Sequence, residues 1–272
     1  MIDVVDIGAN PVDGEPPYAG ILQAGFARVT GFEPNPIALA KLEEDKGENE
    51  TYLPFAVADG EIHEIKFCNS SCMTSLLEPN HDLLQFFHGF PEWGQVVARH
   101  QINTVRLDDV EEIENLDYLK IDIQGGELCV FENATERLAD CLVIQTEVEF
   151  LPMYVDQPLF SEVEIFLRGQ GFLFHRFEPL SSRVIQPVLM DNNVHKDFVQ
   201  VSWADAVFVR DFTRLVDLEP GKLMKLESIL HDVYGSYDLV LRALMARDAF
   251  VGSGHATVYL QTLSEQYPVP SK

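Results

Sequence analysis

The segment Tyr118 to Glu127, YLKIDIQGGE, constrains the fold of this chain more than any other. Bulky, β-favouring residues run into an acidic, glycine-rich turn, which predicts a short buried strand followed by a helix that begins near Glu127. Asp122 then lies at the carboxyl end of the strand, which is the edge of an open α/β sheet where ligands bind. The alternative is an acidic cap that only joins strand to helix.

The same pattern of strand, turn and helix opens the chain. A β-branched run from Ile2 to Ile7 contains Asp6 and is followed by Gly8, and the apolar stretch from Tyr18 to Phe26 predicts the next helix. A glycine turn at this position brings backbone N–H groups and a helix N-terminus close to a ligand. The segment therefore predicts a second part of the same ligand site.

Acidic residues also end the next two predicted strands. Glu33 closes RVTGFE, about 20 residues after Gly14, where Rossmann-like folds hydrogen-bond a ribose diol. Asp59 closes TYLPFAVADG, near the expected position of an adenine ring. The segments that contain Asp122, Gly8, Glu33 and Asp59 together predict a nucleoside-containing cofactor.

Six segments follow one another at spacings that fit one α/β fold. They are DIGAN (Asp6 to Asn10), GFEPNP (Gly31 to Pro36), AVADG (Ala56 to Gly60), LDDV (Leu107 to Val110), LKIDIQGGE (Leu119 to Glu127) and VIQTEVE (Val143 to Glu149). Residues 1–151 thereby resemble the FkbM family of S-adenosylmethionine-dependent methyltransferases. Two departures are visible: the first-loop glycine is delayed to Gly14, and the family's DxEGxE reads DIQGGE, so that Gln124 replaces a carboxylate.

The resemblance implies a Rossmann-like class I methyltransferase sheet with helices on both faces, an antiparallel edge strand and a C-terminal helical appendage. It also implies that S-adenosylmethionine is the cofactor. The residues it assigns to the cofactor are Asp6, Gly8, Ala9 and Asn10 around the methionine portion, Glu33 on the ribose hydroxyls and Asp59 near the adenine.

Transfer of a methyl group to a hydroxyl oxygen needs a nearby base, because the alcohol loses its proton as the new bond forms. Asp122, Glu147 from the next strand, and His88 are the catalytic candidates. Asp122 and Glu147 side by side raise each other's proton affinity, or they hold a divalent cation that lowers the pKa of the acceptor. We expect a protein base rather than a metal. His175 and His195 are weaker candidates, since lone histidines near strand ends are more often structural.

Composition excludes several classes of partner. The net charge of −25, with no cluster of Lys and Arg, disfavours nucleic acids and anionic membranes. The four cysteines form no CxxC pair, which fits a reducing compartment. No basic and apolar leader opens the sequence, and no apolar run approaches the length that spans a bilayer. We therefore expect a cytoplasmic protein that acts on a small molecule.

We expect two parts in the chain. Residues 1–212 form the methyltransferase domain, with an inserted loop or lid at 68–100 whose aromatic residues either contact substrate or pack a small helix. Strands are predicted at 183–189 and 202–210. Residues 213–272 form a helical appendage that packs on the core or on another copy of the chain, which would make a homo-oligomer.

Two other functions share parts of this pattern. A nicotinamide-dependent oxidoreductase would also have the ribose acid and the glycine turn, but the sequence contains no GxGxxG. A non-catalytic protein that binds S-adenosylmethionine would retain the cofactor residues, and the presence of Asp122 and Glu147 favours an enzyme over it. The identity of the methyl acceptor does not follow from these residues.

Overall fold

A computed structural model of the chain describes residues 1–10 and 14–266. The strands in these residues are β1 (Ile2–Ile7), β2 (Ala27–Phe32), β3 (Glu50–Leu53), β4 (Ala56–Val57), β5 (Ile62–Cys68), β6 (Val96–Val105), β7 (Tyr118–Ile121), β8 (Val143–Glu149), β9 (Phe172–Arg183) and β10 (Gln200–Arg210). Seven of them form one sheet in the order β3-β2-β1-β7-β8-β10-β9. The first five in that order are parallel, and β10 pairs antiparallel with both β8 and β9. The predicted Rossmann-like sheet with an antiparallel edge is confirmed.

Helices cover both faces of this sheet. The helices in the described residues are α1 (Ala19–Gln23), α2 (Pro36–Asp45), α3 (His81–Leu84), α4 (Phe90–Trp93), α5 (Glu127–Glu132), α6 (Thr135–Asp140), α7 (Phe160–Gly169), α8 (Pro220–Ser228), α9 (Tyr237–Val251) and α10 (His255–Gln266). Of these, α3 and α4 belong to the inserted segment at 68–100 and pack in a separate core. One core joins Val4 of β1 to Leu226 of α8, and the other joins Val5 of β1 to Leu167 of α7. The central strands β1, β7 and β8 are almost wholly buried because neighbouring side chains alternate between the two faces of the sheet, and both faces are covered.

Within the described residues the predicted C-terminal helical segment is confirmed as α8, α9 and α10, with a π-helical turn at Ile229–Val233 after α8. The last part of the predicted segment, residues 267–272, lies outside the described residues. Leu223 and Leu226 of α8 are buried in the same core as Ile2 and Val209 of the sheet. These helices therefore supply one of the two layers that cover the main sheet. Pairing of two copies through them stays a prediction. No helix in residues 1–10 and 14–266 is both long and apolar enough to cross a bilayer.

The third predicted strand is divided in two. β3 joins the main sheet, whereas β4 pairs with β6 in a separate sheet of order β4-β6-β5. Pro54 lies between the two strands and has no N–H to donate to a ladder, which favours a break here.

The predicted lid at 68–100 is structured. It runs from the end of β5 through α3 and α4 into β6. Met73, Leu84, Phe87 and Phe90 are buried in a small core of their own, which Tyr154 also joins. Two of the predicted aromatic residues, Phe87 and Phe90, therefore pack this segment together.

The strand predicted at 183–189 is absent, since β9 ends at Arg183. The following residues bind the inserted segment instead of the main sheet. Ile185 forms an isolated bridge with Phe87, and the N–H of Gln186 donates to the carbonyl of Phe86 at 2.9 Å. The predicted strand at 202–210 is confirmed within β10.

Candidate active site

A cleft of about 1990 Å³ opens at the carboxyl ends of β1, β2, β7 and β8. Pockets for one small molecule usually measure roughly 300–1,000 Å³. The cleft therefore has room for a nucleoside cofactor and a second molecule side by side. Among the predicted cofactor residues, Asp6, Gly8, Ala9, Asn10 and Glu33 all line it.

The turn after β1 fits tightly against the turn after β7. Gly8 has a φ of +83°, and a Cβ added to it would lie 2.1 Å from the backbone oxygen of Asp122. Only glycine meets both conditions, because other residues rarely adopt this φ and any Cβ would collide. The N–H groups of Gly8 and Ala9 both donate to the carbonyl of Phe32 at 3.1 Å. These two amides thus tie the loop to β2 and do not face the cleft, contrary to the expectation for a ligand-binding turn. Pro11 to Asp13, the insertion that delays the next glycine, lie outside the described residues.

Asp6 forms part of the cleft floor. Its side chain is buried, and its Oδ2 accepts a 2.6 Å hydrogen bond from the hydroxyl of Tyr18. Lys120 Nζ lies 3.4 Å from Asp6 Oδ1. Burial opposes the charge of Lys120, yet Asp6 and Asp122 together raise the pKa of its ammonium above the usual value. A paired positive charge therefore lies beneath the acidic end of the cleft.

Glu33 directly follows β2 and is 6% exposed. Its Oε1 accepts the N–H of Asn35 at 2.7 Å, and Asn35 in turn caps α2 by accepting from the N–H groups of Ile37 and Ala38. Burial raises the pKa of the Glu33 carboxyl, and the Asn35 N–H only partly offsets this. The strand end and the helix cap together hold the carboxylate at the wall of the cleft.

Asp122 and Glu147 lie together at the ends of two neighbouring strands. Both line the cleft, and the side chain of Gln124 joins them. Gln124 Nε2 donates to Asp122 Oδ1 at 2.8 Å and to Glu147 Oε2 at 2.7 Å. Asp205 of β10 is paired in register with Glu147 and also lines the cleft.

The carboxylates around this pair are unusually basic. Burial, followed by the charges of Asp122 and Glu149, raises the pKa of Glu147 well above its ordinary value. Burial likewise raises the pKa of Glu149, with the charges of Glu127 and Asp122 adding to it. The pKa of Glu127 rises to about 7, mainly through burial and despite N–H donors at Ile123 and Gly125. Burial and mutual repulsion therefore favour the protonated forms of Glu147 and Glu149, the two acids of this group that line the cleft.

Three of these carboxylates have an arrangement that a cation could use. One oxygen each of Asp122, Glu127 and Glu147 lie within 4.8 Å of one another. Oxygen ligands of this kind suit magnesium or calcium. However, Glu127 Oε1 already accepts two backbone N–H groups of the turn after β7, and Gln124 already bonds to the other two carboxylates.

Two predicted residues are not brought to the cleft. Asp59 lies in the turn before β5, where its Oδ1 bonds to His63 Nε2 at 2.7 Å and accepts the N–H of Glu61. His88 lies in the inserted segment, where its Nε2 bonds to the carbonyl of Val188 at 2.7 Å. Neither residue is among those that line the cleft. The structure therefore does not support the position of Asp59 near the adenine or the role of His88 as a catalytic base.

The two weaker histidine candidates have structural neighbours. His175 Nε2 bonds to the hydroxyl of Ser236 at 2.7 Å, and burial lowers its pKa. His195 lines the cleft and stacks on Trp93, with ring centroids 5.1 Å apart.

Sequence reasoning missed several residues of the cleft, among them Lys120, Gln145 and Glu149. They lie two positions from Asp122 or Glu147 along β7 and β8. Side chains at i and i+2 of a strand share one face of the sheet, so the alternation of each strand already implied them.

The sequence that forms most of the main sheet and the cleft matches a known family model. The Methyltransferase FkbM domain model matches residues 6–174. The chain belongs to this methyltransferase family, which confirms the resemblance seen in the sequence. No curated protein matches the sequence of the chain.

Several solved structures are similar to the chain at low sequence identity. Magnesium protoporphyrin IX methyltransferase (ChlM) from Synechocystis PCC 6803, with bound SAM, is 10% identical with a TM-score of 0.38, over 75% of this chain and 68% of that one. A TehB-like SAM-dependent methyltransferase from Corynebacterium glutamicum is 12% identical with a TM-score of 0.34, over 77% and 80%. A protein of the NADB-Rossmann superfamily from Streptococcus agalactiae is 12% identical with a TM-score of 0.38, over 91% of each chain.

Proposed function

We propose that this protein transfers the methyl group of S-adenosylmethionine to a hydroxyl oxygen of a small molecule, such as a sugar. The proposal depends on the set of residues that line a single cleft. The glycine turn after β1 and the carboxylate of Glu33 line the same cleft as the acidic pair Asp122 and Glu147.

The residues of the cleft fit the cofactor. Gly8 keeps the turn after β1 free of a side chain where the backbones of two loops meet, and Asp6, Ala9 and Asn10 surround the position proposed for the methionine portion. Glu33 offers a charged acceptor for the ribose hydroxyls. When bound, S-adenosylmethionine supplies an activated methyl group, which the acceptor oxygen takes as the carbon–sulfur bond breaks.

The protein contributes orientation and a base. Holding an acceptor in line for attack is worth several kcal/mol, on the order of 7–11 at best. The proton of the acceptor hydroxyl passes to a carboxylate of the pair Asp122 and Glu147. Burial raises the pKa of Glu147, which makes its carboxylate a stronger base than an ordinary glutamate once it has lost its proton.

An aromatic wall lies beyond the acidic pair and is proposed to hold the acceptor. Phe90, Trp93 and Trp203 line this side of the cleft, and the guanidinium of Arg183 lies 4.4 Å from the centroid of the Trp203 ring. Aromatic faces pack against ring-shaped molecules, while the carboxylates accept hydrogen bonds from hydroxyl groups. The net charge of −25 makes a nucleic-acid acceptor unfavourable.

An acceptor screen with methyl-labelled cofactor tests the proposal. Sugars, phenols and aliphatic alcohols are incubated with the protein, and labelled products are separated and counted. With the acceptor found, Asp122→Asn and Glu147→Gln should keep the fold and lower turnover by about 10²- to 10⁴-fold, the usual cost of losing a general base. Glu164→Gln is the matched control, because Glu164 is a partly exposed carboxylate of α7 that pairs with Arg168 and does not line the cleft.

The pH dependence of turnover gives a second arm of this test. Turnover should rise with pH as Glu147 loses its proton, and this rise should vanish in Glu147→Gln. Full turnover in both cleft variants on the true acceptor would show that the strand-end carboxylates do not act on it.

A further inference from the structure

Gln124 occupies the position between the two carboxylates at the centre of the cleft. Its Nε2 lies 2.8 Å from Asp122 Oδ1 and 2.7 Å from Glu147 Oε2. A side-chain amide has two N–H donors, so each carboxylate receives one of them. Two neighbouring carboxylates in a partly buried site repel each other unless a cation, a proton or a donor lies between them.

A second contact fixes the orientation of the amide. Gln124 Oε1 accepts from the hydroxyl of Tyr154 at 3.3 Å. Turning the amide over would point its oxygen at two carboxylates and its N–H groups at the tyrosine oxygen. The nitrogen therefore faces Asp122 and Glu147, which is the orientation that the hydrogen-bond network selects.

The backbone of Gln124 is held in an unusual conformation. Its φ is +61°, in the left-handed region that residues with a side chain rarely adopt, although two glycines follow directly. The carbonyl of Gln124 accepts a 2.7 Å hydrogen bond from the hydroxyl of Ser75 in the inserted segment. A non-glycine residue that persists in this region at a ligand cleft points to a use for its side chain.

We propose that Gln124 is a positioning residue that takes the place of a divalent cation between Asp122 and Glu147. It holds one oxygen of each carboxylate and leaves Asp122 Oδ2 and Glu147 Oε1 for the acceptor. A divalent ion would neutralise both carboxylates, whereas the neutral amide preserves a carboxylate that takes up the acceptor's proton. Glu127 does not bridge Asp122 and Glu147, because its Oε1 is held by two backbone N–H groups of the turn after β7.

The catalytic use of Asp122 and Glu147 rests on the proposed function. The role of Gln124 as a bridge between them is tested without measuring turnover. Gln124→Glu keeps the size of the side chain and replaces the N–H donors with a third acceptor. The probe is MnCl₂ alone, and the readouts are the Tm and bound manganese measured by water-proton relaxation. Gln85→Glu adds the same charge at an exposed position of the inserted segment and serves as the control.

We expect the Tm of Gln124→Glu to rise by several degrees with MnCl₂, with one manganese ion bound. The wild type and Gln85→Glu should show neither effect, and adding Glu147→Gln to Gln124→Glu should remove it. A Gln124→Glu protein that fails to fold alone should fold in the presence of MnCl₂.

Three results would overturn the inference. They are manganese bound in the cleft of the wild type and lost in Glu147→Gln, a Gln124→Glu protein that binds no manganese, and one that fails to fold with and without the ion. None of these results bears on whether the wild type binds S-adenosylmethionine, so failure of the bridging role and failure of the proposed function are distinguishable.

Discussion

Replacing Lys225 by methionine tests how the C-terminal helices are joined to the sheet. Asp117, immediately before β7, is fully buried. It accepts from Lys225 Nζ, from Lys222 Nζ at 2.9 Å and from the backbone N–H of Asp3 at 2.9 Å. Burial acts to raise the pKa of Asp117, but Lys225, the Asp3 N–H and Lys222 together hold it below its ordinary value. Lys225→Met keeps the aliphatic stem and removes one of these donors.

The expected loss follows from the burial of the pair. Removing one partner of a fully buried ion pair costs about 3–5 kcal/mol. The Lys225 side chain is 24% exposed, and Lys222 remains beside Asp117, so the loss should be smaller, about 2 kcal/mol. For a chain of 272 residues that corresponds to a fall in Tm of about 3–4 °C.

Urea unfolding at neutral pH, with and without the substitution, measures this difference. The pKa of Asp117 is lowered in the folded state, so its stabilisation is present above the unfolded pKa and is lost as pH falls through the folded value. The pKa of Lys225 is raised, so its stabilisation is present below the unfolded pKa and is lost as pH rises through the folded value. The difference between the two proteins should therefore be greatest between about pH 4 and pH 10.

Lys46→Met is the matched control, since Lys46 pairs with Glu43 at the surface and should contribute less than about 1 kcal/mol. A free energy of unfolding that falls equally in both variants would show that the contacts with Asp117 do not hold α8 to the sheet.

Four further substitutions test residues of the cleft and residues placed outside it. Glu33→Gln should raise the Kd for S-adenosylhomocysteine at least about tenfold in calorimetry, because hydrogen bonds to a charged acceptor are worth about 1.5–3 kcal/mol each; an unchanged Kd would place the ribose elsewhere. Gly8→Ala should lower the Tm and abolish cofactor binding, because its Cβ would lie 2.1 Å from the Asp122 oxygen; a stable variant that binds would refute this packing. His88→Ala should leave turnover nearly unchanged, since its ring bonds to a backbone carbonyl outside the cleft; a large loss would return it to the catalytic candidates. The pKa of Glu127 is raised to about 7, so the folded state binds more protons than the unfolded state and loses stability as pH rises toward that value. Glu127→Gln should flatten this fall in Tm, and an unaltered profile would assign the titration to another group.

The main sheet could be predicted because each strand carries its own signal. Buried parallel strands such as β1 and β7 consist mainly of β-branched and large apolar residues, and a glycine or an acid directly after them marks the carboxyl edge. This regularity indicates Glu33 and Asp122, which directly follow β2 and β7, whereas Asp6 and Glu147 lie within β1 and β8 and were assigned through the resemblance to the FkbM family.

The positions of Asp59, His88 and Gln124 could not be predicted, because they depend on contacts between segments that are distant in sequence. Asp59 also follows a short strand, but β4 belongs to the smaller sheet, which takes its acid away from the cleft. His88 was chosen for its residue type, and only the bond to Val188 shows that it faces another loop. The bridge made by Gln124 depends on its φ and on Tyr154, which is far away in sequence.

Cofactor binding tests the central claim most directly. The melting temperature is measured with saturating S-adenosylhomocysteine and, separately, with NAD⁺ at the same concentration. A ligand at 100 times its Kd stabilises the folded state by about 2.7 kcal/mol, so S-adenosylhomocysteine should produce a clear upward shift and NAD⁺ none. A shift with NAD⁺ and none with S-adenosylhomocysteine would contradict the methyltransferase account and favour a nicotinamide-dependent oxidoreductase.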